Sequence, residues 1–328
     1  MTAKRSVRLG IGLSVAILFL WLILRQIRLE DLKRAFDSTE LAWIIAALSA
    51  LTVGYAGRIE RWSLMLERDS TSLTWKSCAG PLLASFATNN VLPFRAGDIL
   101  RSFAFNDVLG VGSGVIIATL FVERLLDLLM VLVLLGAALA FFGMDAMHFA
   151  GIGGPVLLAG AAAIVLLLLY PNFFAPAALA LGNLASRLSP RIGRKILDEI
   201  NKSLVTLRHL AKGNTMVKLI LWSLFVWLAE GCVFWFAALA LPSIATPLAG
   251  WLALPVGTLA TLIPSAPGYV GTFDYFTLRA MTELGNTTIA ATAYTLLVHA
   301  LIWLPITLVG GLYLLLRPVK QRDRPLVT

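Results

Sequence analysis

Apolar residues along the chain fall into long blocks, and six of these blocks are long enough to cross a membrane as helices. The six blocks span residues 7–24, 41–57, 115–142, 151–170, 216–241 and 288–316. A crossing helix needs about 20 residues, with a range of about 17–25. The pattern therefore predicts an all-α polytopic membrane protein, in which lipid surrounds most of the surface.

Two further apolar blocks are interrupted in the middle by polar residues, proline and glycine. Residues 77–104 contain Asn89-Asn90-Val-Leu-Pro93-Phe-Arg95-Ala-Gly97-Asp98, and residues 247–281 contain Pro264-Ser-Ala-Pro267-Gly268-Tyr-Val-Gly271. In hydrocarbon, such a break persists only where protein or a water-filled cavity satisfies the freed backbone groups. Each block is therefore predicted to form a re-entrant hairpin, which enters and leaves the membrane on the same side.

The basic residues indicate how these segments are oriented. Segment 171–214 is too polar to cross and carries seven Lys and Arg residues. Cytoplasmic loops hold an excess of such residues, and this segment reaches the cytoplasm only if the first broken block is re-entrant. We therefore expect cytoplasmic N and C termini and a cytoplasmic amphipathic segment at 171–214, broken at Ser189-Pro190. The sequence leaves open whether this segment lies on the membrane or packs on the helix bundle.

The segments also repeat along the chain. Residues 1–142 and 151–316 each read as helix, helix, hairpin, helix, with the first hairpin entering from the cytoplasm and the second from outside. Pro93 and Gly97 share a Pro-x3-Gly spacing with Pro267 and Gly271. The prediction is one integral membrane domain over 1–328, with six transmembrane helices and two oppositely inserted re-entrant hairpins in an inverted repeat. In transporters, this arrangement places the substrate site at broken helices near the midplane.

Composition and charge narrow the class of protein further. The chain is 59% hydrophobic and 14% charged, whereas soluble domains carry about 25% charged residues. Its net charge of +9 lies mostly between the apolar blocks, where it suits anionic headgroups rather than nucleic acid. Two separated cysteines and three separated histidines indicate neither a disulfide framework nor a metal site. The first block lacks a small-residue cleavage site, so we expect a retained helix.

The first hairpin concentrates polar and charged side chains within thirteen residues: Asn89, Asn90, Arg95, Asp98 and Arg101. Unpaired polar groups inside a membrane are costly, so a fold keeps them for pairing or for a ligand. Arg95 and Arg101 offer planar donors that fit a phosphate, and Asp98 is placed to hold one of them. The alternative is an interfacial loop whose charges face water.

A second group of charges lies deep in the helix predicted for 115–142. Glu123 and Asp127 share one face of it, and Arg124 is spaced to pair with Asp127. With Asp274, which follows the second hairpin, we expect these residues to balance charge or to carry a coupling proton. The alternative is a self-neutralising cluster that docks this helix against the first hairpin.

The second hairpin and two apolar helices supply further candidates. Pro267, Gly268 and Gly271 open the backbone, which allows close approach by a headgroup or by a neighbouring helix. Glu230 and His299 are isolated polar residues in apolar helices. Each is a candidate proton relay, although a lone histidine is more often a hydrogen-bonded packing residue.

Motifs of nucleotide-binding loops, zinc proteases and serine hydrolases do not occur in the sequence. We therefore expect no catalytic residue, no cofactor and no metal. Without a nucleotide site, any transport has to run on a gradient or downhill.

Three motifs occur in order along the chain: Asn90-x2-Pro93-x3-Gly97-Asp98-x2-Arg101, Glu123-Arg124-x2-Asp127, and Pro264-x2-Pro267-Gly268-x2-Gly271-x2-Asp274. Over nearly the whole chain they resemble the lysylphosphatidylglycerol synthase transmembrane-region family, the flippase half of the multiple peptide resistance factors. That family's last motif usually reads Pro-Gly-Gly-x-Gly followed by Glu, whereas this chain has Tyr269 and then Asp274. We expect neither an aminoacyl-transfer domain nor lysylphosphatidylglycerol synthesis. The resemblance implies translocation of a lipid.

The expected function is therefore a flippase-like lipid translocase of the cell inner membrane. It moves an anionic or phosphate-bearing lipid by alternating access at a polar midplane cavity. The main alternative is a non-transporting scaffold for a lipid-modifying or glycosyl-transferring enzyme, and a further one is an intramembrane enzyme that uses the acidic cluster. Membrane lipids are the expected partners, and the sequence leaves open a homo-oligomer or a membrane enzyme partner.

Overall fold

The computed structural model describes residues 30, 33, 36–67, 73–92, 95–144, 153–212, 214–263 and 267–316. Regular structure in this part of the chain is helical throughout, without strands, which confirms the predicted all-α class. The predicted first crossing at 7–24, Pro93, Pro264 and the C-terminal basic tail lie outside the described residues.

Twelve α-helices make up the described part, numbered here in chain order. They are α1 (Leu41–Leu66), α2 (Trp75–Val91), α3 (Ala96–Ala104), α4 (Asn106–Leu109), α5 (Ser113–Phe141), α6 (Gly154–Leu169), α7 (Pro171–Leu188), α8 (Pro190–Leu210), α9 (Thr215–Leu239), α10 (Gly250–Ala260), α11 (Thr272–Glu283) and α12 (Thr288–Leu316). Two short 3-10 turns, Pro247–Ala249 and Pro267–Tyr269, precede α10 and α11.

Four of the six predicted spans are confirmed as helices of spanning length. Helices α1, α5, α9 and α12 are each long and apolar enough to cross a membrane alone. The block at 151–170 forms α6, whose 16 residues fall short of the roughly 20 that a crossing needs. The chain bends by 94° from α6 into α7. Only when the two helices are taken together are they long and apolar enough to form a fifth candidate span.

Helix α1 continues well past the predicted end of its apolar block. The sequence placed that end at residue 57, whereas the helix runs to Leu66. Arg58 and Arg61 lie inside the helix and are only 8% and 1% exposed. The prediction was wrong because carboxylates on other helices, rather than water, neutralise these two charges.

Both interrupted blocks fold into helical hairpins. In the first, α3 returns against α2, and Gly97 permits the close return because a Cβ there would collide with the Ser85 carbonyl oxygen. In the second, α11 returns against α10 at Gly257, where a Cβ would crowd Thr277 and Phe273. A residue without a side chain is therefore required where each pair of helices closes.

Each hairpin packs against a long helix from the other half of the chain. Helix α1 packs along α9 in the most extensive helix contact of the described structure. In the first hairpin α2 packs against α12, and in the second hairpin α10 packs against α5. Each hairpin therefore rests on the last long helix of the other half, and this pattern is unchanged when the two halves are exchanged.

The predicted amphipathic segment forms α7 and α8, and the break at Ser189 is confirmed. The two helices pack on each other, and α8 also packs on the start of α5, where a Cβ at Gly114 would touch Lys202. Helix α7 leaves Phe173 and Leu181 exposed. The segment is thus docked on the bundle through α8, while α7 presents an apolar surface outward.

Candidate functional site

A cavity of about 370 Å³ lies where the tips of the two hairpins meet α1, α5, α9 and α12. Of the residues that the sequence pointed to, its lining includes Asn89, Asn90, Arg95, Arg124, Asp127, Glu230, Gly268 and His299. The other described candidates stand outside the lining: Gly97, Asp98, Arg101, Glu123, Pro267, Gly271 and Asp274. The cavity thus brings together polar groups from both halves of the chain.

Asn89 shapes the turn of the first hairpin. Its side-chain oxygen accepts the backbone N–H of Gly97 at 2.8 Å, and its side-chain nitrogen donates to Asp98 at 2.9 Å. One amide thereby satisfies the first turn of α3 and fixes the orientation of a carboxylate. Asn89 therefore lines the cavity and also holds α3 against α2.

Asn90 fastens the same hairpin to α12. Its side-chain nitrogen donates to the Thr307 hydroxyl at 2.9 Å, and its backbone carbonyl accepts the Trp303 indole N–H at 3.3 Å. Trp303 lines the cavity. These bonds satisfy backbone and side-chain groups freed by the break in the hairpin, which lipid cannot do.

Arg101 is enclosed between helices rather than open to the cavity. Its guanidinium donates to Glu123 at 3.0 Å and lies over the Trp62 ring, 4.8 Å from the ring centroid. Both charged side chains are buried. This pair joins α3 to α5, and a ligand in the cavity does not reach it.

Arg124 pairs with the first hairpin and also lines the cavity. It lies 3.3 Å from Asp98, 3.8 Å from Glu123 and 3.7 Å from Asp127. Asp98 therefore pairs with Arg124, and not with Arg95 or Arg101 as the sequence suggested. The predicted Arg124–Asp127 pair is confirmed. The geometry matches the alternative interpretation of a self-neutralising cluster that docks α5 against the first hairpin.

Two arginines that the sequence did not mark as site residues complete this network. Arg61 donates to Asp127 at 2.9 Å, and Arg58 donates to Glu230 at 2.6 Å. The Trp227 indole N–H also bonds Asp127 at 3.2 Å. The signal in the sequence was the helical spacing of the two arginines next to further apolar residues, which is compatible with a helix that continues.

Arg95 differs from every other charge in the cavity. In the described part of the chain, four arginines (Arg58, Arg61, Arg101 and Arg124) face four carboxylates (Asp98, Glu123, Asp127 and Glu230). Arg95 has no acidic partner among the described residues, although it lines the cavity. Its backbone is left-handed, with φ 51°, a conformation that costs a residue with a side chain about 1–2 kcal/mol.

The tip of the second hairpin has the same backbone feature. Tyr269 stands two residues after Pro267, as Arg95 stands two residues after Pro93, and its φ is 59°. Arg95 and Tyr269 are the two non-glycine residues with positive φ in the described chain, and both line the cavity. Tyr269 stands at the second glycine of the Pro-Gly-Gly-x-Gly motif to which this segment was compared above. Glycine adopts this conformation without strain.

His299 connects that tip to α12. Its Nδ1 lies 2.6 Å from Asp274 and its Nε2 lies 3.1 Å from the Gly268 carbonyl oxygen. The second carboxylate oxygen of Asp274 accepts the Gly271 backbone N–H at 2.8 Å. Asp274 thus caps α11 and binds His299. The described residues contain no group of three or more His, Cys, Asp or Glu side chains suited to a metal.

Comparison with known proteins identifies the family of the chain. No curated protein matches the chain. The sequence profile of the family described as Lysylphosphatidylglycerol synthase TM region matches residues 9–310 of the 328-residue chain. The matched region contains both hairpins and all the residues of the cavity. The chain therefore belongs to the lysylphosphatidylglycerol synthase transmembrane-region family.

Proposed function

We propose that this protein moves a lipid with an anionic headgroup between the two leaflets of the cell inner membrane. The observation that carries the proposal is Arg95, a cation that faces the cavity and has no acidic partner among the described residues. A guanidinium held inside a membrane without a counter-ion is costly, and a phosphate offers it two oxygens at once. The headgroup supplies the missing negative charge.

The rest of the cavity lining fits the remainder of such a lipid. Tyr55, Phe86, Trp227, Phe273 and Trp303 supply aromatic walls. Leucine, valine and isoleucine side chains from α5, α10, the turn after α10 and α12 supply apolar ones: Leu128, Val131, Leu254, Leu259, Leu262 and Ile302. A headgroup in this space leaves its acyl chains against apolar surface. The chemistry is binding alone, with no covalent step and no cofactor.

The topology in the proposal is six crossings and two re-entrant hairpins that insert from opposite sides, with both termini in the cytoplasm. Support comes from the packing of each hairpin on the last long helix of the other half. The shared left-handed conformation at Arg95 and Tyr269 also supports it, because equivalent positions of a repeat take equivalent backbone shapes. Inverted repeats place substrate sites where their broken helices meet.

Alternating access in this proposal acts through α12, which holds both hairpin tips. Trp303 binds the first tip through Asn90, and His299, one turn earlier, binds the second tip through Gly268. Pro305 lies inside the same helix, and proline is a common site of helix bending. Asn90 of the first tip also donates to Thr307, which lies beyond Pro305, so bending of α12 at that point would move this attachment relative to His299 and the second tip. The buried Arg101–Glu123 and Arg61–Asp127 pairs keep the bundle together meanwhile.

The test is leaflet exchange of a fluorescent phosphatidylglycerol in reconstituted vesicles. Arg95→Gly removes the guanidinium and keeps a residue that adopts positive φ without strain. We expect exchange to fall about tenfold or more, the size expected for one charge-assisted hydrogen bond. Arg95→Lys should recover part of the activity, because an ammonium keeps the charge without the planar pair of donors.

The matched control is Arg194→Ala, which removes an exposed arginine on α8 that does not line the cavity. It should exchange phosphatidylglycerol at the wild-type rate. Fluorescent phosphatidylcholine also carries a phosphate, but its choline cation already balances that charge, so it should exchange more slowly than phosphatidylglycerol. Wild-type vesicles that exchange no lipid faster than empty vesicles, or an Arg95→Gly variant with full activity, would overturn the proposal.

A further inference from the structure

Both ring nitrogens of His299 face hydrogen-bond acceptors. Nδ1 lies 2.6 Å from a carboxylate oxygen of Asp274, and Nε2 lies 3.1 Å from the carbonyl oxygen of Gly268. The other Asp274 oxygen is already occupied by the Gly271 N–H. A carbonyl oxygen only accepts, so Nε2 has to carry a hydrogen for the second bond to form.

The contact between His299 and Asp274 needs a hydrogen of its own. It belongs either to Nδ1, which makes an imidazolium beside a carboxylate, or to Asp274, which makes a neutral pair. In both arrangements the pair holds two protons in total. The geometry of the described conformation is therefore that of the doubly protonated pair.

The other charged residues of the cavity are poor candidates for proton exchange, which leaves the Asp274–His299 pair. Apart from His299, the charged residues of the cavity lining are Arg58, Arg95, Arg124, Asp127 and Glu230. Arginine does not release its proton in proteins, and both of these carboxylates lie against arginine. Helix α10 and the rest of α12 carry no charge, and Arg279 and Glu283 pair with each other at the exposed end of α11. Phe273 packs its ring against the imidazole.

We propose that Asp274 and His299 form a proton site that controls the tip of the second hairpin. When the pair loses one proton to cavity water, the single hydrogen that remains stays between His299 and the Asp274 carboxylate, the stronger acceptor. Nε2 then presents a lone pair to the Gly268 carbonyl, and that bond is lost. The tip of the second hairpin is released from α12.

The first hairpin does not share this sensitivity. Its tip is held by the Trp303 indole and the Thr307 hydroxyl, which keep their hydrogens at physiological pH. Trp303 stands one helical turn after His299, so both tips are fastened to neighbouring turns of α12. Proton release thus frees one tip and leaves the other in place, which is the asymmetry that alternating access requires. This link to lipid movement rests on the proposed function, whereas the proton site itself does not.

Hydrogen–deuterium exchange of the full chain in lipid nanodiscs tests the inference. Exchange is measured between about pH 5.5 and about pH 8.5, a range across which imidazole changes its protonation, and is corrected for the intrinsic pH dependence of amide exchange. Protection of the peptide covering 267–275 should fall about tenfold across this range, the size expected for one lost charge-assisted hydrogen bond. Protection of the peptide covering 89–101 should stay constant, which makes it an internal control.

Two variants assign the response to the pair. His299→Gln removes the imidazole that the inferred proton site requires, so protection of the second tip should no longer depend on pH. His209→Gln on α8, whose ring does not line the cavity, should keep the wild-type response. If His299→Gln does not fold, the comparison of the two tips in the wild-type protein still decides, because equal pH responses at both tips overturn the inference.

Leaflet exchange of the same purified protein, measured after reconstitution into vesicles, separates this inference from the proposed function. If the second tip responds to pH but the protein moves no lipid, the proton site is supported and the proposed function is overturned. A protein that moves lipid while its second tip is indifferent to pH keeps the proposed function and overturns the proton site.

Discussion

Arg58 on α1 and Glu230 on α9 form an ion pair with a nitrogen–oxygen distance of 2.6 Å, although 172 residues separate them in the chain. The guanidinium also lies within 6 Å of the aromatic ring centroids of Tyr55, Phe86 and Trp227, at 5.7, 5.8 and 5.7 Å. A charge in the middle of a long apolar helix is tolerated because a carboxylate and three aromatic faces surround it. The pair fastens α1 to α9, the most extensive helix contact in the described structure.

Removal of one partner of this pair should destabilise the protein. Glu230→Ala leaves the buried Arg58 with only the more distant Asp127, 4.0 Å away. We expect the free energy of unfolding to fall by about 3 kcal/mol. Arg58→Met combined with Glu230→Met should recover most of that loss, because it removes both charges and keeps the volume. Thermal unfolding in detergent measures both effects.

The matched control for this pair is Arg279→Ala, which breaks the exposed Arg279–Glu283 pair. Exposed pairs contribute little, so its unfolding midpoint should stay close to that of the wild type. An equal loss in Glu230→Ala and Arg279→Ala would contradict a structural role for the Arg58–Glu230 pair.

Arg101 should act on stability rather than on lipid contact. Arg101→Ala leaves Glu123 buried without its closest partner. We expect the free energy of unfolding to fall by about 3–5 kcal/mol. Arg101→Lys should lose less, because it keeps the charge but not the planar stacking on Trp62. Unfolding midpoints of the purified variants give the measurement. An Arg101→Ala protein of wild-type stability that moves no lipid would instead place Arg101 at the headgroup.

The first hairpin should not accept a side chain at Gly97. Gly97→Ala places a Cβ against the Ser85 carbonyl oxygen and within 3 Å of Asn89, so α3 cannot close on α2. We expect poor expression and a large drop in the unfolding midpoint. The matched control is Gly136→Ala in α5, where a Cβ meets nothing within 4 Å, and it should gain about 0.5–1 kcal/mol from helix propensity. Equal behaviour of the two variants would contradict the close approach of α3 and α2.

Cysteine labelling in intact cells tests the proposed topology. In a background with Cys78→Ser and Cys232→Ser, Lys195→Cys on α8 should react with an impermeant thiol reagent only after the membrane is permeabilised. Glu283→Cys, at the exposed end of α11, should react from outside. Labelling of Lys195→Cys in intact cells would exclude the arrangement with two re-entrant hairpins and a cytoplasmic N terminus.

Local features of the sequence determined the helices of spanning length. Lipid makes an uninterrupted apolar run form a helix, because no other structure satisfies the backbone within a single segment. The helices α5, α9 and α12 accordingly begin and end close to their predicted positions. Proline and glycine also fixed where the hairpins turn and where α7 gives way to α8 at Ser189-Pro190, since their effects on φ and on backbone hydrogen bonds act within a few residues.

Only the tertiary structure decided which charges on different helices meet. The sequence predicted that a span ends before Arg58, because an isolated charge is expelled from hydrocarbon. Glu230 neutralises this charge, however, and the helix continues to Leu66. The same holds for His299, an isolated residue in the sequence whose two partners come from the second hairpin. A charge pair depends on which helix faces which, and helical periodicity along one segment carries no information about its neighbour. The sequence therefore named most polar residues of the cavity, while the packing of the two halves separated the paired charges from Arg95.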